Sequence, residues 1–194
     1  QAGTARAIAQ GMSTLARLLI TICALLLAGC ATVGNSNAPR AVAIAEGVYL
    51  LQGSGGAADE NNLGRIGNAG FIVGDSGVIA IDTGTSRAHG QALLEAIRGV
   101  TDKPIKLVLL THTRPEFLFG GTAFREAGIP LRTHRSMARL MAARCETCLK
   151  TLRQTVGEAP MRGTAMYKPD QEFDATHELT LIGRTVRVLH FGHS

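Results

Sequence analysis

Ile105 to Leu110 is a short apolar run broken only by Lys106, and it closes on Thr111-His112-Thr113. A run of this length and character reads as a buried strand rather than a core helix. Such a strand restricts the chain to folds in which further layers cover a sheet. It also places His112 where the strand breaks into a loop, the position at which a metal-dependent hydrolase would carry its first ligand.

The flanking sequence supplies the other layers. Glu46–Gln52, Gly67–Val73 and Val78–Ile81 read as strands joined by Gly-rich or Asp-Ser-Gly turns, with a polar Gly-rich loop over 53–65. Ser86 reads as the N-cap of a helix running to Arg98, whose Ala92, Leu93, Ala96 and Ile97 form one apolar stripe. Beyond the central strand the pattern predicts a short helix over Gly121–Ala127, a strand near Ile129–Thr133 and a long helix over Ser136–Val156. A loop through Pro169 and strands near Glu178–Ile182 and Thr185–Leu189 complete it. Strands first, then strand and helix in alternation, predict an α+β arrangement with helices covering a sheet.

At 194 residues, 45% hydrophobic and 18% charged, the chain suffices for one core-forming domain. Upstream of that domain, Met12 is followed by Arg17, an apolar stretch from Leu18 to Ala28, and Leu27-Ala28-Gly29-Cys30. The stretch is too short to span a bilayer and has the flanks of a secretory signal. Leu-Ala-Gly-Cys resembles the lipobox of bacterial lipoproteins, which implies lipidation at Cys30 and a periplasmic protein anchored at the outer membrane. The expected organisation is upstream translation over 1–11, a lipoprotein signal over 12–30, a tether over 31–41 and the folded domain over 42–194. Losing Arg6 and Arg17 leaves 18 basic residues against 15 acidic, a net +3 that is too small to argue for nucleic acid.

Of the four cysteines, Cys23 falls in the signal, so Cys145 and Cys148 form a C-x-x-C pair in the mature chain. An oxidising compartment favours a disulfide. Their i and i+3 places on the buried face of the long helix fit two small core residues, reduced or locally bonded, equally well. Zinc on this pair alone would lack two further ligands.

Gly67–Val73 leading into Ile79-Ala80-Ile81-Asp82-Thr83-Gly84, the strand ending at His112 with Gly120 and Gly121 behind it, and Gly192-His193-Ser194 together resemble the metallo-β-lactamase superfamily. The spacing and the polar loop before Asn68 look most like its periplasmic branch associated with quinoprotein dehydrogenases and sulfur oxidation. The resemblance implies the N-terminal half of an αββα sandwich, with the second half beyond Ser194. It also implies zinc, a small-molecule substrate, and hydrolysis of an ester, lactone or thioester. Half a sandwich would leave a sheet face uncovered, so aggregation is expected.

Where the family carries His-x-His-x-Asp-His, this chain reads His112-Thr113-Arg114-Pro115-Glu116-Phe117. Carried over by position, His112 and His193 are two imidazole ligands of the first zinc. Arg114 replaces the third, and a guanidinium stays protonated with no lone pair to give. Glu116 replaces an Asp and remains a competent oxygen ligand, whereas Phe117 removes a ligand of the second metal. Two readings stay open. In one, His112, Glu116 and His193 hold a single zinc with an open position for hydroxide, and Glu116 and Asp82 are the catalytic carboxylates, Glu116 as a ligand and Asp82 by shaping the turn near the metal. In the other, Arg114 takes the vacant metal position, pairs with Glu116 and receives an anionic ligand without turnover.

Asp82-Thr83-Gly84 also resembles an aspartic-peptidase loop, which would need a second such loop from a partner chain. Gly74-Asp75-Ser76-Gly77 reads as a hairpin turn rather than a serine-peptidase segment. His89 and His177 are expected at the surface, His134 in a loop or cap, and His190 at a partly exposed strand end.

Overall fold

The computed structural model describes residues 39–192. The signal with Cys30, most of the tether, and His193 lie outside them. The order of elements is β1 (Ala41–Ala45), β2 (Val48–Leu51), β3 (Ala69–Val73), β4 (Val78–Ile81), α1 (Arg87–Arg98), β5 (Ile105–Leu109), α2 (Pro115–Leu118), α3 (Gly121–Glu126), β6 (Leu131–His134), α4 (Arg135–Val156), β7 (Gln171–Phe173), β8 (His177–Leu179) and β9 (Val186–Val188).

Strands β1 to β7 form one seven-stranded sheet in sequence order, and β8 and β9 form a separate hairpin. Pairing is antiparallel as far as β4 and parallel from β4 to β7. The connections explain the switch. The turn between β3 and β4 is tight, with the Gly74 amide donating to the Gly77 carbonyl at 2.9 Å. After β4, helix α1 carries the chain back to the start of its neighbour, which only a parallel pair permits.

Both faces of β4 and β5 are covered, which is why their sequences run apolar without alternation. Val78, Ala80 and Val108 belong to the main core with Leu93 and Ile97 of α1, Phe124 of α3 and Met141 of α4. Ile79, Leu107 and Leu109 form a second core with Leu179 and Ile182, against which Val186 and Val188 of the hairpin pack. Full burial of each such large side chain contributes roughly 1.5–3 kcal/mol. This layering, a large mixed sheet with helices on one face and a hairpin on the other, corresponds to part of an αββα sandwich.

Helix α1 starts where expected, with Ser86 Oγ accepting from the His89 amide at 3.2 Å. Three elements depart from the sequence expectation. β1 is an edge strand held through its pairing with β2, and its side chains from Val42 onward are exposed. β7 is a polar edge, Gln171-Glu172-Phe173, with no apolar pattern to announce it. α2 is a single turn that begins at Pro115, where proline favours a helix start.

Two histidines correct the surface assignment. His89 is buried, because the turn before α1 folds over it and the Thr85 amide donates to its Nδ1 at 3.2 Å. His177 is a half-buried residue of β8 whose Nδ1–H donates to the Ala175 carbonyl at 2.9 Å. Cys145 and Cys148 are both free thiols. Successive turns of a helix hold Cβ atoms about 5–6 Å apart, wider than the ~4 Å of a disulfide, so a bridge would require the helix to distort.

Candidate active-site cleft

Adjacent parallel strands β4 and β5 end side by side, at the sheet edge where α/β proteins place ligands. Asp82, the first residue after β4, has φ +57, a left-handed conformation that Asp tolerates better than most residues. Its amide donates to the Leu109 carbonyl at 2.8 Å. Its carboxylate is committed to Thr111, accepting from the amide at 2.8 Å and from the hydroxyl at 2.6 Å. Because the Thr111 hydroxyl proton is spent there, its 2.9 Å contact with His112 is a bond donated by His112 Nδ1–H. In the neutral imidazole this leaves Nε2 with the lone pair. Burial raises the Asp82 pKa to about 6, against the pull of its two bonds from Thr111 and of nearby His112.

The following loop is pinned from behind. The Thr83 amide donates to the Phe117 carbonyl at 2.7 Å, and the Thr83 hydroxyl donates to Leu118 at 2.8 Å. In front, Arg114 Nε meets Glu116 Oε1 at 2.8 Å, with the Arg114 side chain 68% exposed and that of Glu116 10%. The Phe117 ring lies over His112, with centroids 4.9 Å apart. Arg114 and Glu116 border a cavity of about 420 Å³ walled by Gly56, Ile66, Cys148 and Thr151. His112 borders a different one of about 420 Å³, with His134, Met137, Phe173, Leu189 and His190.

The predicted residues therefore fall into two pairs. Asp82 joins His112 through Thr111, and Arg114 joins Glu116, but Glu116 and His112 line separate cavities. Among the described residues, no three His, Cys, Asp or Glu side chains converge as a metal site. The donors present do not fit a two-metal centre. Arg114 and Phe117 have no lone pair to give a metal, and the Glu116 carboxylate already has a cation.

Sequence reasoning passed over Thr111, which carries the coupling between Asp82 and His112. His134, at the end of β6, takes the cap place expected of it, and the contacts beyond that cap were unforeseen. Its Nδ1 accepts from the Ser136 amide at 3.2 Å to cap α4, its Nε2–H donates to the Asp174 carbonyl at 3.0 Å, and its ring stacks on His190 at 4.0 Å. A position at the end of a third parallel strand was the one available signal.

Residues 63–184 match the family model described as metallo-beta-lactamase superfamily. The chain belongs to the metallo-β-lactamase superfamily. The single Asp-Thr-Gly turn of this metallo-β-lactamase-fold chain belongs to that fold rather than to a peptidase loop, and its Asp82 carboxylate accepts twice from Thr111. Solved structures share the fold. A metallo-beta-lactamase from Pontibacter korlensis superposes with a TM-score of 0.57 at 18% identity, over 77% of this chain and 59% of that one. A Cronobacter sakazakii metallo-beta-lactamase with a HARLDQ motif does so with a TM-score of 0.53 at 17% identity, over 75% and 52%. A linear primary-alkylsulfatase from Pseudomonas sp. (strain ATCC 19151) is 37% identical over 54 residues, 28% of this chain and 10% of that protein. The chain thus spans about half the length of the structures it matches and a tenth of the curated relative.

Proposed function

We propose that this chain uses the superfamily cleft to bind a small organic anion without a metal, Arg114 supplying the positive charge. The observation that carries this reading is the 2.8 Å pair between Arg114 Nε and Glu116 Oε1. It neutralises an almost buried carboxylate that would otherwise attract a cation. It also fixes the guanidinium plane, so that the rest of the fork can meet a carboxylate, sulfate or phosphate in bidentate fashion. The HARLDQ motif of the Cronobacter structure supports it, having arginine third and an acid fifth, as in His112–Phe117. The alkylsulfatase relative is named for substrates with an anionic head and an apolar tail, and we extend that ligand class to this chain.

The test pairs metal content after zinc reconstitution with calorimetric titration of octyl sulfate. The expected result is no retained metal, binding that Arg114→Gln abolishes, and affinity within about twofold of the parent in His112→Ala, whose side chain faces the other cavity. About one zinc per chain that disappears in His112→Ala would overturn the reading. It would favour instead a mononuclear hydrolase of esters, lactones or thioesters, with His112, Glu116 and His193 around one zinc. The bond from His112 to Thr111 favours that second reading, since it leaves Nε2 with a lone pair; release of Glu116 from Arg114 counts against it.

We further propose that Cys30 carries a lipid anchor holding the domain at the periplasmic face of a membrane. Labelled palmitate incorporated by the parent chain and lost in Cys30→Ser is the expected outcome, and equal labelling of both would refute it.

A further inference from the structure

The cavity that holds Arg114 also holds a thiol. Cys148 of α4 lines it together with Thr147, Thr151 and Leu152, opposite the small residues Gly56 to Ala58. Nothing lies within 4 Å of where a Cβ on Gly55 or Gly56 would sit, so this wall is open to an incoming molecule. Cys145 precedes it by three residues on the same helix, one turn away and buried in the core. A half-buried thiol in a cavity wall, a second thiol one helical turn behind it and a guanidinium at the same cavity form a combination that neither the zinc nor the ligand-binding reading uses.

We propose that Cys145 and Cys148 form a dithiol that exchanges with small anionic disulfides entering the Arg114 cavity. The selectivity for anions rests on the binding role given to Arg114 above; the exchange rests on the thiols. Cys148 loses its proton to water and its sulfur attacks one sulfur of the small disulfide. A mixed disulfide forms, the original S–S bond breaks, and one thiolate leaves. Cys145 then gives up its proton as its sulfur attacks the Cys148 sulfur; the mixed disulfide breaks, and the leaving sulfur takes up that proton and departs as the second thiol. The chain is oxidised by two electrons and the small disulfide is reduced to two thiols. Cys145 acts second because it is buried in the core and Cys148, not Cys145, lines the cavity; burial also raises the Cys145 pKa to about 11, which keeps it a thiol until the mixed disulfide stands beside it. The helical spacing strains the resulting bridge, so free thiols reopen it and the exchange is reversible.

The experiment treats the reduced full chain with an anionic aromatic disulfide, dithiobis(nitrobenzoate), and with neutral dithiodipyridine. Released thiol is followed by absorbance and the modified peptides are identified by mass, which separates this pair from Cys23 and Cys30. The expected result is two thiols released for the pair and a bridged Cys145–Cys148 peptide. Cys145→Ala should release one and keep an adduct on Cys148, and Cys148→Ser should leave Cys145 unmodified. Arg114→Gln should slow the anionic probe roughly tenfold and leave the neutral one unchanged. A persistent adduct on Cys148 in the parent, or modification of Cys145 in Cys148→Ser, overturns the dithiol. If octyl sulfate binds but neither probe exchanges, the dithiol proposal fails while the Arg114 reading stands. If exchange proceeds with identical probe rates in the parent and Arg114→Gln, the anion-binding reading fails and the selectivity with it.

Discussion

Asp82 and Glu116 lie on either side of His112 along the chain, 6% and 8% exposed, but only Glu116 has a guanidinium to itself. Asp82 is held by an amide and a hydroxyl of Thr111, groups that the ends of two parallel strands bring together. The cost is a pKa raised to about 6 by burial. Glu116 is held by a side chain two residues away in the loop, so its partner depends on what the sequence places at a single position. The sheet-built half of the site is thus retained as geometry, while the loop-built half can change its chemistry without disturbing the fold.

The largest expected effect comes from changing the loop-built half. Arg114→His combined with Phe117→His creates a His-x-His-x-acid-His order and frees Glu116. Zinc affinity by equilibrium dialysis should rise at least about a thousandfold over the parent chain, roughly 4 kcal/mol. An unchanged affinity would mean that the backbone of the loop, with Glu116 turned toward a different cavity from His112, closes the site whatever its side chains.

The next effect concerns pH. The Asp82 pKa is raised above its unfolded value, so its contribution to stability is full below about pH 4 and is lost as pH rises through 6. His89 behaves oppositely. Burial, and then the charge of Arg65, lower it to about 4, so its contribution is present above about pH 6.5 and is lost as pH falls. Between pH 4 and 6 the two trends offset each other. Asp82→Asn keeps a side chain suited to the left-handed backbone and removes one of them. Urea unfolding of that variant should show stability rising by about 3 kcal/mol from pH 4 to 6.5, whereas His89→Gln should show a fall over the same range. A flat profile in Asp82→Asn would break the assignment of His89 as a buried neutral imidazole.

These residues also show what the chain made legible. The apolar runs of β4 and β5, the Ser86 cap and the place of His112 follow from local pattern, because strands covered on both faces and helix caps leave strong local signals. The pairing of Arg114 with Glu116 belonged to one of two readings, and only the folded loop brings the two side chains together. β1 and β7 were hidden because edge strands gain their pairing from a neighbour's backbone rather than from their own side chains. His89 was misplaced because its burial is set by the turn at Thr85, and Thr111 was overlooked because its partner Asp82 is 29 residues away in sequence.

The smallest expected effect separates the function of Arg114 from its contribution to stability. Its side chain is 68% exposed, so the ion pair is largely screened on that side, and Arg114→Ala should cost only about 1 kcal/mol in urea unfolding. Most of that loss should come from leaving Glu116 without a partner in a nearly buried place, so adding Glu116→Gln should recover it. The double variant would then be as stable as the parent chain yet unable to bind octyl sulfate. If Arg114→Ala instead cost as much as the shifts expected at Asp82 and His89, Arg114 would be part of the scaffold, and the contrast between a sheet-built and a loop-built half of the site would not hold.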